Sequence, residues 1–364
     1  MQINFKYIEF FFTMKIVSIM LVAVQLFMIS ACNSESYDAP YSESDVVADL
    51  TWAPAETVIR KADGSDTWPI TWADDGLLYS AFADGWGFEP MIPEKLSMGF
   101  TKIKANPPNF QGVNIRSGGE QYGDGRKGKK ASGMLMVDKI LYMWVRNVDD
   151  GKYSQLAWSK DYGKTWSWAE WVFTDFGYCT FINFGKNYES ARDNFVYIVT
   201  HDHPDAYTPA DHFVLMRVPK DRIVERSAYE FFNKMDGEGN PIWTSEIGQR
   251  KAVFKKPGRS LRSGISYNLS LGRYFWWQQD PTTGENGGID TRFKGGFGIY
   301  DAPEPWGPWT TTYSTEKWDM GPGETGSFPV KWMSEDGKDM YLVFSGNDCF
   351  SVRKATLTLS DGAD

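Results

Sequence analysis

The stretch SKDYGKTW, Ser159–Trp166, decides the fold. It fits the pattern S-x-D-x-G-x-T-W, the Asp-box, a hairpin turn that recurs in β-propellers. The aspartate caps backbone N–H groups, the glycine supplies a positive φ, and the tryptophan packs between strands. Such a turn is structural, so it speaks for a propeller more than for any chemistry.

Outward from this turn, the chain repeats one design five times: a turn, a short apolar strand with a central aromatic, another turn and a second strand. The segments open with ITWADDGLLYSAFADGWGF (70–88), GMLMVDKILYMWVRN (133–147), DNFVYIVTHDH (193–203), ISYNLSLGRYFWWQQD (265–280) and FPVKWMSEDGKDMYLVFSG (328–346). Their spacing is uneven, as long inserted loops would make it. Gly (35) and Pro (18) punctuate the whole chain, and helical periodicity is scarce. The best helix candidate is DRIVERSAYEFFNKM, Asp221–Met235, closed by glycines at 237 and 239. The expected fold is all-β, a five-bladed β-propeller with long loops and one or two short helices.

The N-terminus reads as an export signal. MKIVSIMLVAVQLFMISAC, from Met14, places one lysine before an apolar run and small residues before Cys32. Residues 1–31 are therefore expected to be a lipoprotein signal peptide, with Cys32 as the lipidated residue. Residues 32–50 form a polar tether, and 51–364 a single β-propeller domain. The expected location is the cell envelope, lipid-anchored at the outer membrane or cell surface, as a monomer. Only Cys179 and Cys349 remain beyond Cys32, too few for a disulfide framework although the two could pair. A net charge of −9 argues against a nucleic-acid partner. Aromatics are abundant, 16 Trp, 18 Tyr and 24 Phe. They can fill an all-β core or line a groove where ring faces stack on sugars.

TWPITWADDGLLYSAFADGWGFEP, KASGMLMVDKILYMWVRN, RVPKDRI, SAYEFF and SFPVKWMSEDGKDMYLVFSG, together with the Asp-box, resemble the bacterial domain of unknown function 4185 family. The match runs from about Trp68 to Ala355. The resemblance implies a five-bladed carbohydrate-active propeller with its substrate at the central axis, in polysaccharide-degradation clusters of marine bacteria. An ulvan-like glycan fits that context.

All three histidines fall in THDHPDAYTPADH, Thr200–His212. If NFVYIVTHDH is an inner strand, alternation puts His201 and His203 on one face at its open end. As a metal pair they would need Asp205, Asp211 or His212 in addition, a minor option, and no cofactor is expected. As catalysts, imidazoles are natural bases. The alternative is that they merely hydrogen-bond loop backbone. β-Elimination from a uronate, by a lyase or a dehydratase, would use His201 or His203 as base and Tyr207 or Tyr267 as acid. Arg192, Arg259 or Arg262 would neutralise the carboxylate. Arg146, Asn147 and Lys130 of the basic run GRKGKK would bind an acidic polysaccharide or oligosaccharide beside Trp68 and Trp86. Hydrolysis would instead need two carboxylates across the scissile bond; Asp66, Asp84 and Glu324 are the candidates. A non-catalytic glycan binder would keep the aromatics without needing the histidines. The preferred expectation is an extracytoplasmic carbon–oxygen lyase, with glycoside hydrolase as the alternative.

Overall fold

The structure, a computed structural model, describes residues 39–281 and 290–362. The expected signal peptide and Cys32 lie outside the described residues. Among the described residues there are strands and single turns of 3-10 helix, and no α-helix. No helix among them is long and apolar enough to cross a membrane.

Strands β1 (Val47–Trp52) and β2 (Ile59–Lys61) precede the first antiparallel sheet. That sheet pairs β3 (Ile70–Trp72), β4 (Leu78–Phe82), β5 (Gly99–Lys104) and β6 (Gln111–Ile115) in order. The second pairs β7 (Lys130–Val137), β8 (Ile140–Asp149), β9 (Lys152–Ser159) and β10 (Ser167–Phe173). A larger sheet follows. One run is β11 (Cys179–Asn183), β12 (Phe195–His201), β13 (Ala210–Pro219), β14 (Glu230–Met235) and β15 (Pro241–Thr244), with β16 (Ala252–Ser260) also on β13. The other is β17 (Ser263–Asn268), β18 (Arg273–Asp280), β19 (Gly296–Ala302) and β20 (Thr310–Thr315), joined to the first where β11 pairs parallel with β17. The last sheet holds β21 (Gly326–Ser327), β22 (Asp339–Phe344) and β23 (Phe350–Leu359), and β1 closes it by pairing with β23.

The first strands of these runs ring a common axis. The Met136 amide (β7) donates to Thr71 Oγ1 (β3) at 3.0 Å, and Ser132 Oγ (β7) donates to the Cys179 carbonyl (β11) at 2.7 Å. Ile182 of β11 sits opposite Ile265 of β17. Gly264 of β17 approaches β21 so closely that a Cβ there would collide with the Gly326 carbonyl oxygen, which only glycine avoids. The Trp68 amide, donating to Thr325 Oγ1 at 3.2 Å, completes the circuit. A small cavity lies among these strands, lined by Ser132, Thr180, Ser263, Thr325 and Gly326 among others.

Most aromatics fill the space between sheets. Trp144 packs against Phe173 and Phe181 at centroid separations of 5.6 and 6.0 Å, and Phe254 against Trp276 and Tyr300 at 5.4 and 4.6 Å. The Asp-box forms as its sequence demands. Asp161 Oδ1 accepts from the Thr165 amide at 2.9 Å, Oδ2 accepts from Thr165 Oγ1 at 2.6 Å, and Gly163 has φ +85°. Trp166 stacks on Phe100 of the first sheet, 5.0 Å between centroids, so the turn also ties two sheets together.

Two expectations are corrected here, and one open pairing is answered. Asp221–Met235 is no helix: a short 3-10 turn at Arg226–Ala228 leads into β14, where Phe231 and Phe232 are buried. The tether does not extend to residue 50, because Val47–Trp52 is a strand. Cys179 and Cys349 are both buried free thiols, so they do not pair.

Candidate active site

One end of the axis carries a ring of ionisable side chains, and the topology explains why. Asp66, Lys130, Tyr178, Arg262 and Glu324 each stand at or a few residues ahead of an axis-lining strand. The second strands of the first two sheets run antiparallel and end at the same rim, which brings in Asp84, Arg146 and Asn147. Lys130 is the register partner of Arg146, and Asp66 bridges to Ala83 beside Asp84.

Cations lie underneath and carboxylates above them. Lys130 (2% exposed), Arg146 (0%) and Arg262 (3%) are buried, whereas the Glu324 side chain is 30% exposed and that of Asp84 18%. Lys130 Nζ is paired with Asp84 and Arg262 with Glu324, both in very short contacts, while Arg146 Nη2 lies 3.8 Å from Glu324 Oε2. Burial pushes the Glu324 carboxyl up, but Arg262 and Arg146 outweigh it and hold Glu324 below its usual range. Asp66 goes the other way: burial, then the charges of Glu324 and Asp84, lift it to about 7. Two neighbouring carboxyls driven apart in this way are a proton donor beside an ionised partner. Asp84 adopts φ +42°, a backbone state uncommon outside glycine and asparagine, and Lys130 engages only its Oδ1.

The histidines do not belong to this ring. Their strand, β12, is the second of its sheet; the axis is lined by β11, CTFIN, with Tyr178 just ahead of it. His201 is fully buried, its Nε2 lies 3.0 Å from the Asp205 carbonyl oxygen, and burial lowers its pKa to about 4. His203 Nδ1 accepts from the Asp205 amide at 3.0 Å, and His212 Nε2 lies 2.9 Å from Asp202 Oδ2. All three therefore knit loop structure. The imidazoles of His201 and His203 stack 6.4 Å apart, and among the described residues no group of three or more His, Cys, Asp or Glu is disposed to hold a metal.

Other expected residues disperse. Arg192 pairs with Glu304 and covers Trp306, 4.4 Å from its ring centroid. Tyr267 packs on Tyr274 at 4.8 Å, near the far end of the strand that Arg262 precedes. Arg259 is bound to Asp280 at 2.6 Å. Trp68 is buried and donates its Nε1 proton to the Cys349 carbonyl, so it is core rather than a sugar platform. Trp86, half-buried two residues beyond Asp84, donates its Nε1 proton to the Pro93 carbonyl at 3.3 Å and so braces its own loop. Tyr207 does reach the rim: its hydroxyl oxygen accepts from Arg146 Nη1 and Asn147 Nδ2, both at 2.9 Å. Tyr178 was not anticipated. It precedes the five-residue strand β11, too short to show periodicity.

No family model and no curated protein matches this chain. Among solved structures, a putative hydrolase from Bacteroides ovatus is similar at 13% identity and a TM-score of 0.46, covering 85% of this chain and 93% of its own. A GH43_1 enzyme from Xanthomonas citri follows at 12% and 0.45, covering 84% and 94%. The α-L-arabinofuranosidase PaAbf62A from Podospora anserina, in complex with cellotriose, matches at 10% and 0.43, covering 89% and 99%. The first of these is described as a putative hydrolase and the last as an arabinofuranosidase. The site itself corrects the expectation of a carbon–oxygen lyase: the imidazoles meant to abstract a proton are engaged in loop hydrogen bonds, and carboxylates hold the rim.

Proposed function

We propose that this chain is a five-bladed β-propeller glycoside hydrolase. Asp66 is its general acid and Asp84, paired with Lys130, the second carboxylate, acting on water or on the sugar. Glu324 is clamped by two guanidiniums, which weakens it as a base; its charge instead keeps the proton on Asp66. The observation that carries this reading is the lifted Asp66 beside two carboxylates, each paired with a buried cation. Kinship with the domain of unknown function 4185 family, export through the signal at residues 1–31 and anchoring at Cys32 in the cell envelope are parts of the same proposal.

The cations expected to receive a uronate lie beneath the carboxylates rather than in the mouth. Physically, this favours a sugar without negative charge at the reacting ring, since an acidic ring would meet Asp84 and Glu324 first. The test is a panel of neutral and acidic (ulvan-type) oligosaccharides, read for reducing ends and for unsaturated-uronate absorbance. New reducing ends without absorbance, lost by about 10²–10⁴-fold in Asp66→Asn and in Asp84→Asn, are expected. Cleavage that survives both substitutions would refute the assignment, and binding without cleavage would make the chain a lectin.

A further inference from the structure

The histidine loop is costly structure with no role in the hydrolysis just described, and what it carries to the rim is Tyr207. It is pinned from several sides. Gly177 donates its amide to the His203 carbonyl at 2.8 Å, Tyr153 to the Pro204 carbonyl at 2.8 Å, and Ala206 to the Gly151 carbonyl at 2.9 Å. Asp205 pairs with Arg126 through a very short contact and takes the Tyr207 amide on Oδ1 at 2.8 Å. With His201 on its carbonyl and His203 on its amide, Asp205 has every polar group engaged, immediately before the segment that presents Tyr207.

A phenol oxygen has two acceptor positions and one proton. Buried donors, Arg146 and Asn147, fill both acceptor positions, so Tyr207 can meet a ligand only as a donor. Its proton now goes to the Gly125 carbonyl at 3.2 Å, longer than the usual range for a hydroxyl donor. A ligand oxygen can compete for that proton. Donation from a guanidinium polarises the O–H and strengthens the bond it makes.

We propose that Tyr207 donates a hydrogen bond to a sugar hydroxyl in the reacting subsite, and that the His201–Asp205 loop is the device that aims it. This rests on the hydrolase reading for its setting, not for its test. A group that can only donate, such as a protonated amine at the same sugar position, is refused.

The experiment is a residue-by-ligand cycle on binding, using Asp66→Asn so that no cleavage intervenes. Oligosaccharide binding is followed by tryptophan fluorescence for a series of singly deoxygenated sugars, with and without Tyr207→Phe. Removing one particular hydroxyl is expected to weaken binding about 10-fold or more when Tyr207 is present and to have no effect in the Tyr207→Phe background. Asp205→Asn should weaken the parent sugar in the same direction and add little to Tyr207→Phe. A purely structural tyrosine would weaken all analogues alike, and that outcome overturns the proposal, as does full additivity of the two substitutions. Circular dichroism confirms that each variant is folded. If the parent chain cleaves nothing yet binds, the hydrolase reading fails and the cycle still decides this one; if it binds no oligosaccharide, both fall.

Discussion

At the scale of single residues, Asp66 is defined by what surrounds it rather than by its own neighbours in sequence. Its folded pKa, lifted to about 7, stands above an unfolded value of ~3.9. The protonated form is therefore the one folding favours. Its contribution is complete below the unfolded pKa, declines as pH rises, and is gone above the folded value. Two outcomes follow at this scale. Hydrolysis should fall as pH rises through about 7, because the acid loses its proton. Asp66→Asn should raise the thermal unfolding midpoint above pH 7 while abolishing turnover, since an amide keeps the shape without the buried charge. An unfolding midpoint that drops at high pH in Asp66→Asn would show that the ionised carboxylate is not a burden. His201 gives a contrasting case. Neutral and fully buried, it should lose stability by about 2–3 kcal/mol on replacement by Ala. By comparison, His203→Ala should retain most hydrolysis, whereas a catalytic imidazole would not allow that.

At the scale of elements, the sequence speaks clearly where one element needs one chemistry and poorly where position in the sheet decides. The Asp-box was legible because Ser159, Asp161, Gly163 and Trp166 each do a local job within one hairpin. The innermost strands were not. β21 has two residues and β11 five, while β12 has one intermediate residue followed by six buried ones and reads as the more central strand. Mistaking β12 for the axis strand put the histidines in the mouth. The arginines failed for a related reason: composition shows that guanidiniums exist, but only burial separates Arg146, beneath the rim, from Arg192, stacked on a tryptophan. A subtler signal was present. KASG, RSG and ETGS all set an ionisable residue just ahead of small ones, where closely packed axial strands begin. For the Asp-box, Asp161→Ala should cost about 1–3 kcal/mol and leave kcat unchanged, as measured by denaturant unfolding beside turnover. The Asp161 carboxyl is held below its usual range, net of burial, by hydrogen bonds from Thr165 and Ser159. Its stabilisation is thus present above the unfolded pKa and lost as pH falls through the folded one, so wild type and Asp161→Ala should converge in acid.

At the scale of the whole molecule, a closed ring of sheets must hold its first and last pieces together, because every other junction is continuous in the chain. Here the N-terminal strand does this: β1 pairs with β23 from Val47–Leu359 to Trp52–Ala355, and β2 adds Ile59 to Lys61 on the same strand. The junction is not only backbone. Trp52 reaches across to the preceding sheet, 5.9 Å from Phe297 and 5.1 Å from Trp318, with Arg353 5.7 Å from its ring centroid. Glu324, on the segment ahead of β21, depends on this closure, since β21 hangs on β22 and β22 on β23. Removing residues 39–52 should therefore act in two ways. The thermal unfolding midpoint should fall, and hydrolysis at temperatures well below that midpoint should fall as well, because Glu324 no longer holds the proton on Asp66. Trp52→Ala, which keeps the strand pairing, should lower the midpoint by the loss of a large aromatic, about 3 kcal/mol or less for this half-buried side chain, and leave the pH dependence of hydrolysis in place. If the truncated chain keeps the full pH profile of the parent, the latch serves stability alone and the rim is assembled without it.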